Sequence, residues 1–424
     1  MEKHVYEQYL NILKSELMPA MGCTEPIAIA LTAAHAKAYL PEPVKSVTVL
    51  ASANIIKNVK SVKVPNAGGL KGIEIAAASG IVAGNADKGL EVLADINEQQ
   101  RREIEEFTHT VPIEVFEAKT DHALEIAITL EGERHKVFAR TTQHHTGLCL
   151  IEADGKIVYE KPIEQNAGNT DHSVLTIEGI IDFADSADID DVAEILEKQI
   201  TCNSAIAKEG LTGKYGAAIG RTLLMSYGNT VHNRAKAWAA AGSDARMNGC
   251  ELPVVINSGS GNQGLTASLP VIVYAEEMGV SREMLYRALL VSNLSTIHLK
   301  TGIGCLSAYC GAISAGCGAG AGVMYLHGGR LNEISHTIVN ALAINSGVVC
   351  DGAKASCAAK IASAVESGLL GMQMYMHGKE FLRGEGIVAA GVEATIRNVG
   401  QLAHNGMAET DREIIRIMLN KQCE

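Results

Sequence analysis

Hydrophobic positions near the N-terminus recur at helical spacing: Val5, Tyr9, Leu10, Leu13 and Leu17 share one face of residues 4 to 18, and Pro19 ends the run. An apolar stretch from Ile27 to Leu40 follows, with Thr24 suited to its N-cap and Pro26 to its first turn. From Pro43 the pattern turns to period two. Strands are predicted over residues 44–52, 61–65, 112–116, 123–130, 135–140 and 147–152, and Asp154-Gly155 makes a hairpin turn into Lys156-Ile-Val-Tyr159. A helix over 73–83 and a charged one over 95–107 interrupt them. Beyond Gln165 helical runs continue almost to the end: 171–185, 189–203, 205–225, 231–247, 265–275, 281–294, the region 305–324, 332–345, 353–368 and 409–419.

This order predicts an α+β protein. A large, mainly α-helical catalytic domain, residues 1–42 plus 166–424, carries an inserted smaller α/β domain, 43–165. Composition agrees with a helical bulk. The chain of 424 residues is 47% hydrophobic but only 4% aromatic, and its 42 glycines suit helices in close contact. A formal charge of −12 without a Lys/Arg-rich run speaks against nucleic acid and for a small-molecule ligand. The ten cysteines follow an N-terminus with no apolar signal region, so reduced thiols in the cytoplasm are expected. The uncharged stretch Thr301 to Leu326 is long enough to span a bilayer, yet its many Gly, Ala, Ser and Cys residues favour a buried central helix over a membrane span.

The chemistry concentrates in the cysteines. Five of the ten lie between His298 and Cys357, with no Cys-x₂-Cys pair of the kind zinc favours. Cys350 and Cys357 on one unbroken helix would sit about 10.5 Å apart along its axis, too far for one small cluster. Both can bind only if the backbone turns, at Asp351-Gly352, with Cys350 in the turn and Cys357 on the following helix. Cys310 would join from the Gly-rich neighbouring segment. Three such thiolates would leave one iron of a [4Fe–4S] cluster open as a Lewis acid; spacing alone equally allows buried small residues in Ala/Gly-rich helices. Cys23 is expected at a helix N-terminus, where the dipole favours a thiolate and Glu25 opposes it. The turn Asn66-Ala-Gly-Gly before helix 73–83 and the loop Asn257-Ser-Gly-Ser-Gly-Asn262-Gln263 before the 265–275 run both suit an anionic group at a helix start. His144-His145 is either a substrate-facing pair or a solvated strand end.

Gly22-Cys23-Thr24-Glu25-Pro26, Asn257-Ser-Gly-Ser-Gly-Asn262, the Gly302 to Cys317 stretch and Cys350-Asp-Gly-Ala-Lys354 together resemble the L-cysteine desulfidase family, related to the α-type domain of iron–sulfur L-serine dehydratases. The resemblance spans essentially the whole chain. It implies that Cys310, Cys350 and Cys357 hold a [4Fe–4S] cluster and that Cys23 matches the family's candidate base. Cys305 and Cys317 compete with Cys310; the Cys310 set uses both cysteines of the second segment. The related dehydratases carry Cys-Asp-Pro with a longer gap to the next cysteine, whereas Cys350-Asp-Gly stands here, which favours L-cysteine over L-serine as substrate. The penultimate Cys423 is similar to the cysteine tail of the serine enzymes and also reads as a frayed end. The implied reaction is α,β-elimination giving pyruvate, ammonia and sulfide. Thr24, Asn66, His144, Asn257, Ser258, Ser260 and Asn262 are expected to hold the substrate's carboxylate and ammonium. The rival readings are an L-serine dehydratase with the same cluster, a pyridoxal-phosphate lyase using Lys300 or Lys354, and a non-catalytic iron–sulfur or thiol redox sensor. The expected partner is a small amino acid, with a homodimer allowed.

Overall fold

The chain is seen here as a computed structural model that describes residues 1–120, 122–163, 171–304 and 307–420. It is an α+β fold, mainly helical. The strands Ser46–Ala51, Ile113–Glu117, Glu125–Glu131, Lys136–Thr142, Leu148–Ala153 and Lys156–Glu160 form one six-stranded sheet. Strand 46–51 pairs in parallel with 113–117 and antiparallel with 125–131, and the remaining neighbours are antiparallel hairpins. Helix Thr24–Ala38 packs on the sheet through strands 125–131 and 136–142, and on helix Ile73–Ala83. A second, two-stranded pairing joins Pro19–Met21 to Pro253–Val255 and brings the N-terminal segment against the helical body.

Three elements depart from the pattern-based expectation. The expected strand at 61–65 is an isolated bridge, Lys63 to Lys71, because the turn at 66–72 follows at once. A short helix, Ala53–Val59, lies where the pattern assigned no element. Helix Ile189–Thr212 runs on through the expected break at residue 203 and stops at Gly213, before helix Ile219–Tyr227.

The helical body is built around Ala312–Leu326, every residue of which is buried. An all-round apolar helix is stable only when other helices cover all its faces. Here the covers are Gly261–Met278, Arg282–Thr301, Leu331–Ile344 and Cys357–Met376. Glycines set the spacing. A Cβ on Gly368 would lie 2.0 Å from the Gly316 carbonyl oxygen, and one on Gly316 would lie 2.2 Å from that of Ala364, so helices 312–326 and 357–376 touch backbone to backbone. The chain breaks between Thr301 and Ala312, and among the described residues no helix is long and apolar enough to cross a membrane. The eight described cysteines are free thiols, while Cys305 and Cys423 lie outside the described residues.

Asp244 is buried in helix Val231–Met247 and accepts the Gly220 N–H at 3.0 Å, capping helix 219–227, while its Oδ1 has no partner. Burial pushes its carboxyl up to about 6, against the pull of the Gly220 and Ile219 amides and Arg221. A folded-state value above the unfolded one means that stability is fully present below the unfolded value and is lost as pH rises toward 6.

Two outcomes follow. Asp244→Asn, which keeps the cap acceptor, should melt roughly 2 °C or more above the parent at pH 7.5, with the gap closing as pH falls toward 4; thermal scans across pH check this. Gly368→Ala should lower unfolding stability by about 2 kcal/mol or more, measured by denaturant titration, because backbone rather than a yielding side chain meets the added methyl.

Candidate active site

The Cys-rich segments converge through backbone pairing. Cys310 N–H donates to Val348 O at 3.0 Å, Cys350 N–H donates to Ala308 O at 2.6 Å, and Tyr309 and Val349 form a bridge. The chain then turns at Gly352, whose φ of +92° favours glycine, and Cys357 opens helix 357–376. This is the turn that two ligands from one segment require. Cys310, Cys350 and Cys357 thereby line one side of a cavity of about 330 Å³. Cys317 is buried in helix 312–326 and is not among the residues lining it.

Cys23, Thr24 and Glu25 face the same cavity from the start of helix 24–38. Cys23 is the N-cap residue and Thr24 the first helical one, one position earlier than the sequence suggests. Ser258, Ser260 and Asn262 line the cavity from the loop that opens helix 261–278, and so does His144. Asn66 and Asn257 do not. The Asn66 amide donates to the carbonyls of Leu93 (2.8 Å) and Ala94 (3.2 Å), and that of Asn257 to Asn293, so both spend their polarity on holding the backbone. Helices 24–38, 261–278, 312–326 and 357–376 all begin at the cavity, so four sets of N-terminal amides bias it toward anions.

Glu25 is the hub of the Cys23 wall. Its carboxylate accepts the Cys23 thiol at 2.9 Å and the Asn58 amide at 3.0 Å, with the Thr24 hydroxyl 3.2 Å away and itself 3.0 Å from Gly259 O. Burial opposes its ionisation, but His145, the Cys23 hydrogen bond and Arg246 outweigh it and hold Glu25 below the usual carboxylate range. The Cys23 thiol is driven well above its ordinary value, first by burial and then by the Glu25 charge, with Arg246 pulling the other way. Each helix-terminus contribution is about 0.3–1 kcal/mol, and full burial of a thiolate outweighs it. Cys23 therefore holds its proton at neutral pH. His145 is pushed down chiefly by burial, with Glu25 pulling the other way.

Five residues that line the cavity carry buried polar atoms without a protein partner: Asn58 Oδ1, His145 Nε2, Arg246 Nε, Gln263 Oε1 and the Tyr309 hydroxyl. Buried groups of this kind point to a ligand that completes them. Arg246 is the most telling. Its guanidinium is buried, donates to Asn262 Oδ1 at 3.1 Å, and fits only because residue 261 is glycine, since a Cβ there would stand 2.3 Å from Nε. The sequence alone singled out neither Arg246, Asn58 nor Tyr309 as site residues; it offered Gln263 only as the end of the Asn257 loop and His145 only as half of a pair. For Arg246 the signal was present, a lone cation after the small-residue run Ala239-Ala-Ala-Gly-Ser243.

The donor set formed by Cys310, Cys350 and Cys357 is all thiol, and Cys357 packs against the small hydrophobic cluster that holds Cys23. Burial, with the neighbouring Cys350 and Cys357, pushes Cys310 up to about 12, and burial first also raises Cys357. Among the described residues no three His, Cys, Asp or Glu side chains come together tightly enough for a single metal ion. Three thiols spread along a cavity wall suit a larger, cationic multi-iron group, which would relieve the repulsion between thiolates.

Comparison with known proteins places these features in a family. Residues 87–416 match the family model described as serine dehydratase alpha chain. A UPF0597 protein of Desulfitobacterium hafniense is 58% identical over 421 residues, covering 99% of this chain and 97% of the relative. UPF0597 proteins of Lachnoclostridium phytofermentans and Treponema denticola are 50% and 44% identical, each over at least 98% of both chains. The chain belongs to the serine dehydratase alpha chain family.

Proposed function

We propose that the protein is a [4Fe–4S]-dependent lyase that performs α,β-elimination on a small L-amino acid, foremost L-cysteine, to yield pyruvate, ammonia and sulfide. The observation that carries this reading is the single cavity lined both by the three thiols and by Cys23, Glu25 and Arg246, whose buried Nε has no partner. A cluster held by Cys310, Cys350 and Cys357 would supply a Lewis-acidic iron for the departing β-substituent. Everything else falls to this chain's own side chains, with the unit 43–165 contributing Asn58, His144 and His145.

Arg246 receives the substrate carboxylate, the one charge-assisted partner its buried guanidinium lacks. Asn58 Oδ1 and Gln263 Oε1 accept hydrogen bonds from the substrate ammonium, and Ser258, Ser260 and Asn262 border the same space. Cys23 passes its proton along the existing 2.9 Å hydrogen bond to Glu25, and the resulting thiolate takes the Cα proton. The electron pair left on Cα forms the double bond as the Cβ–S bond breaks, and the aminoacrylate hydrolyses in water to pyruvate and ammonia. The family description favours L-serine as the alternative substrate, with water leaving in place of sulfide.

Anaerobically prepared protein given L-cysteine or L-serine separately tests the reading through pyruvate and sulfide assays. Pyruvate with sulfide from L-cysteine is expected, and no product from either with iron bound would end it. Iron and acid-labile sulfide should each approach about four per chain in the parent and in Cys317→Ser, and fall by at least about half in Cys310→Ser. Arg246→Gln should raise KM roughly 10- to 100-fold with a smaller change in kcat, as expected when a charge-assisted bond made in both ground and transition states is removed; steady-state kinetics read it.

A further inference from the structure

The C-terminal helix Ala408–Asn420 returns across the molecule to the back of the active-site wall. It packs mainly on the π-helical turn Leu402–Gly406 that leads into it and on helix 53–59. Its hold on that helix is specific. Lys57 Nζ and Asp411 Oδ1 are 2.5 Å apart with side chains only 2% and 15% exposed, and Lys60 Nζ lies 3.4 Å from Met418 O. Ile415 and Met418 share a small pocket with Ile56.

Helix 53–59 has only seven residues, too few to hold its shape without tertiary support. Both halves of the cavity nevertheless lean on it. Asn58 lines the cavity, donates to Glu25, and has a buried Oδ1 without a partner. On the other half, Gly352 passes so close that a Cβ would stand 2.7 Å from Lys57 O, so the turn between Cys350 and Cys357 rests on the same backbone. Lys57 itself lines the cavity, and its ammonium pairs with Asp411.

We propose that Asp411, acting through Lys57, is a positioning residue that clamps helix 53–59 against the site and so fixes Asn58 over Glu25 and Cys23. Removing its carboxylate leaves a buried ammonium unpaired at the cavity wall, and the short helix yields before the helical core does.

The test uses the full chain under anaerobic conditions, comparing the parent, Asp411→Ala and Asp411→Glu. N-ethylmaleimide labelling is followed residue by residue by mass spectrometry. Cys23 should label roughly tenfold faster in Asp411→Ala and near the parent rate in Asp411→Glu, while Cys317, buried in the core helix, keeps its parent rate in both. An unchanged Cys23 rate, or Cys23 and Cys317 accelerating together, overturns the clamp. The kinetic counterpart rests on the elimination reading: Asp411→Ala should raise KM for the amino acid more than it lowers kcat, with Asp411→Glu restoring both. Parent protein that turns over neither amino acid would sink the elimination reading, while the labelling still decides the clamp.

Discussion

One close approach in the helical body, backbone on backbone at Gly316, Gly320, Ala364 and Gly368, determines where the chemistry sits. Two helices separated by side chains would hold their axes 8–10 Å apart. With small residues at the crossing, their N-terminal ends stay near enough for Cys310, just before one, and Cys357, first in the other, to face a common space. The Tyr309–Val349 bridge then adds Cys350 to the pair. A side chain larger than glycine at the crossing would spread the three sulfurs before it touched any of them.

Beside these thiols, the rest of the cavity lining near Cys23 is an arrangement of charge. One buried carboxylate, one buried guanidinium and one buried imidazole lie around Cys23. Glu25 stays ionised because three donors and a nearby cation compensate its burial, whereas the Cys23 thiol, with the carboxylate as its acceptor, is kept protonated. Four helix N-termini add a uniform positive bias. That bias is too weak to ionise Cys23 but adds to the attraction for an incoming carboxylate.

Local signals read well from the sequence. Helix 73–83 occurs with the expected bounds, Cys23 does open a helix, and the turn at Asp351-Gly352 lies where two ligands from one segment demand it. Thr24, His144, Ser258, Ser260 and Asn262 do face the cavity with Cys23 and the three thiols. What was not legible depends on partners distant in the chain. Asn66 and Asn257 look like ligand-binding residues by type and loop context, yet their amides find backbone carbonyls that no local pattern reveals. Arg246 resembles any cation near a helix end until the structure shows its Nε buried and without a partner. Helix 53–59 has too few residues for a 3.6-residue period to stand out, and its contacts with Asp411 and with the Cys350–Cys357 turn come from segments distant in the chain.

The hydrogen bond from Cys23 to Glu25 also governs how the protein meets oxidants. Peroxide attacks thiolates rather than thiols, and it needs access to them. A sulfur that is buried and keeps its proton beside a carboxylate is a poor target, even though the same sulfur becomes strongly basic once its proton has been handed on. High basicity and low resting reactivity thus come from a single placement, and the residue proposed for proton transfer is shielded from the chemistry that most readily destroys cysteines.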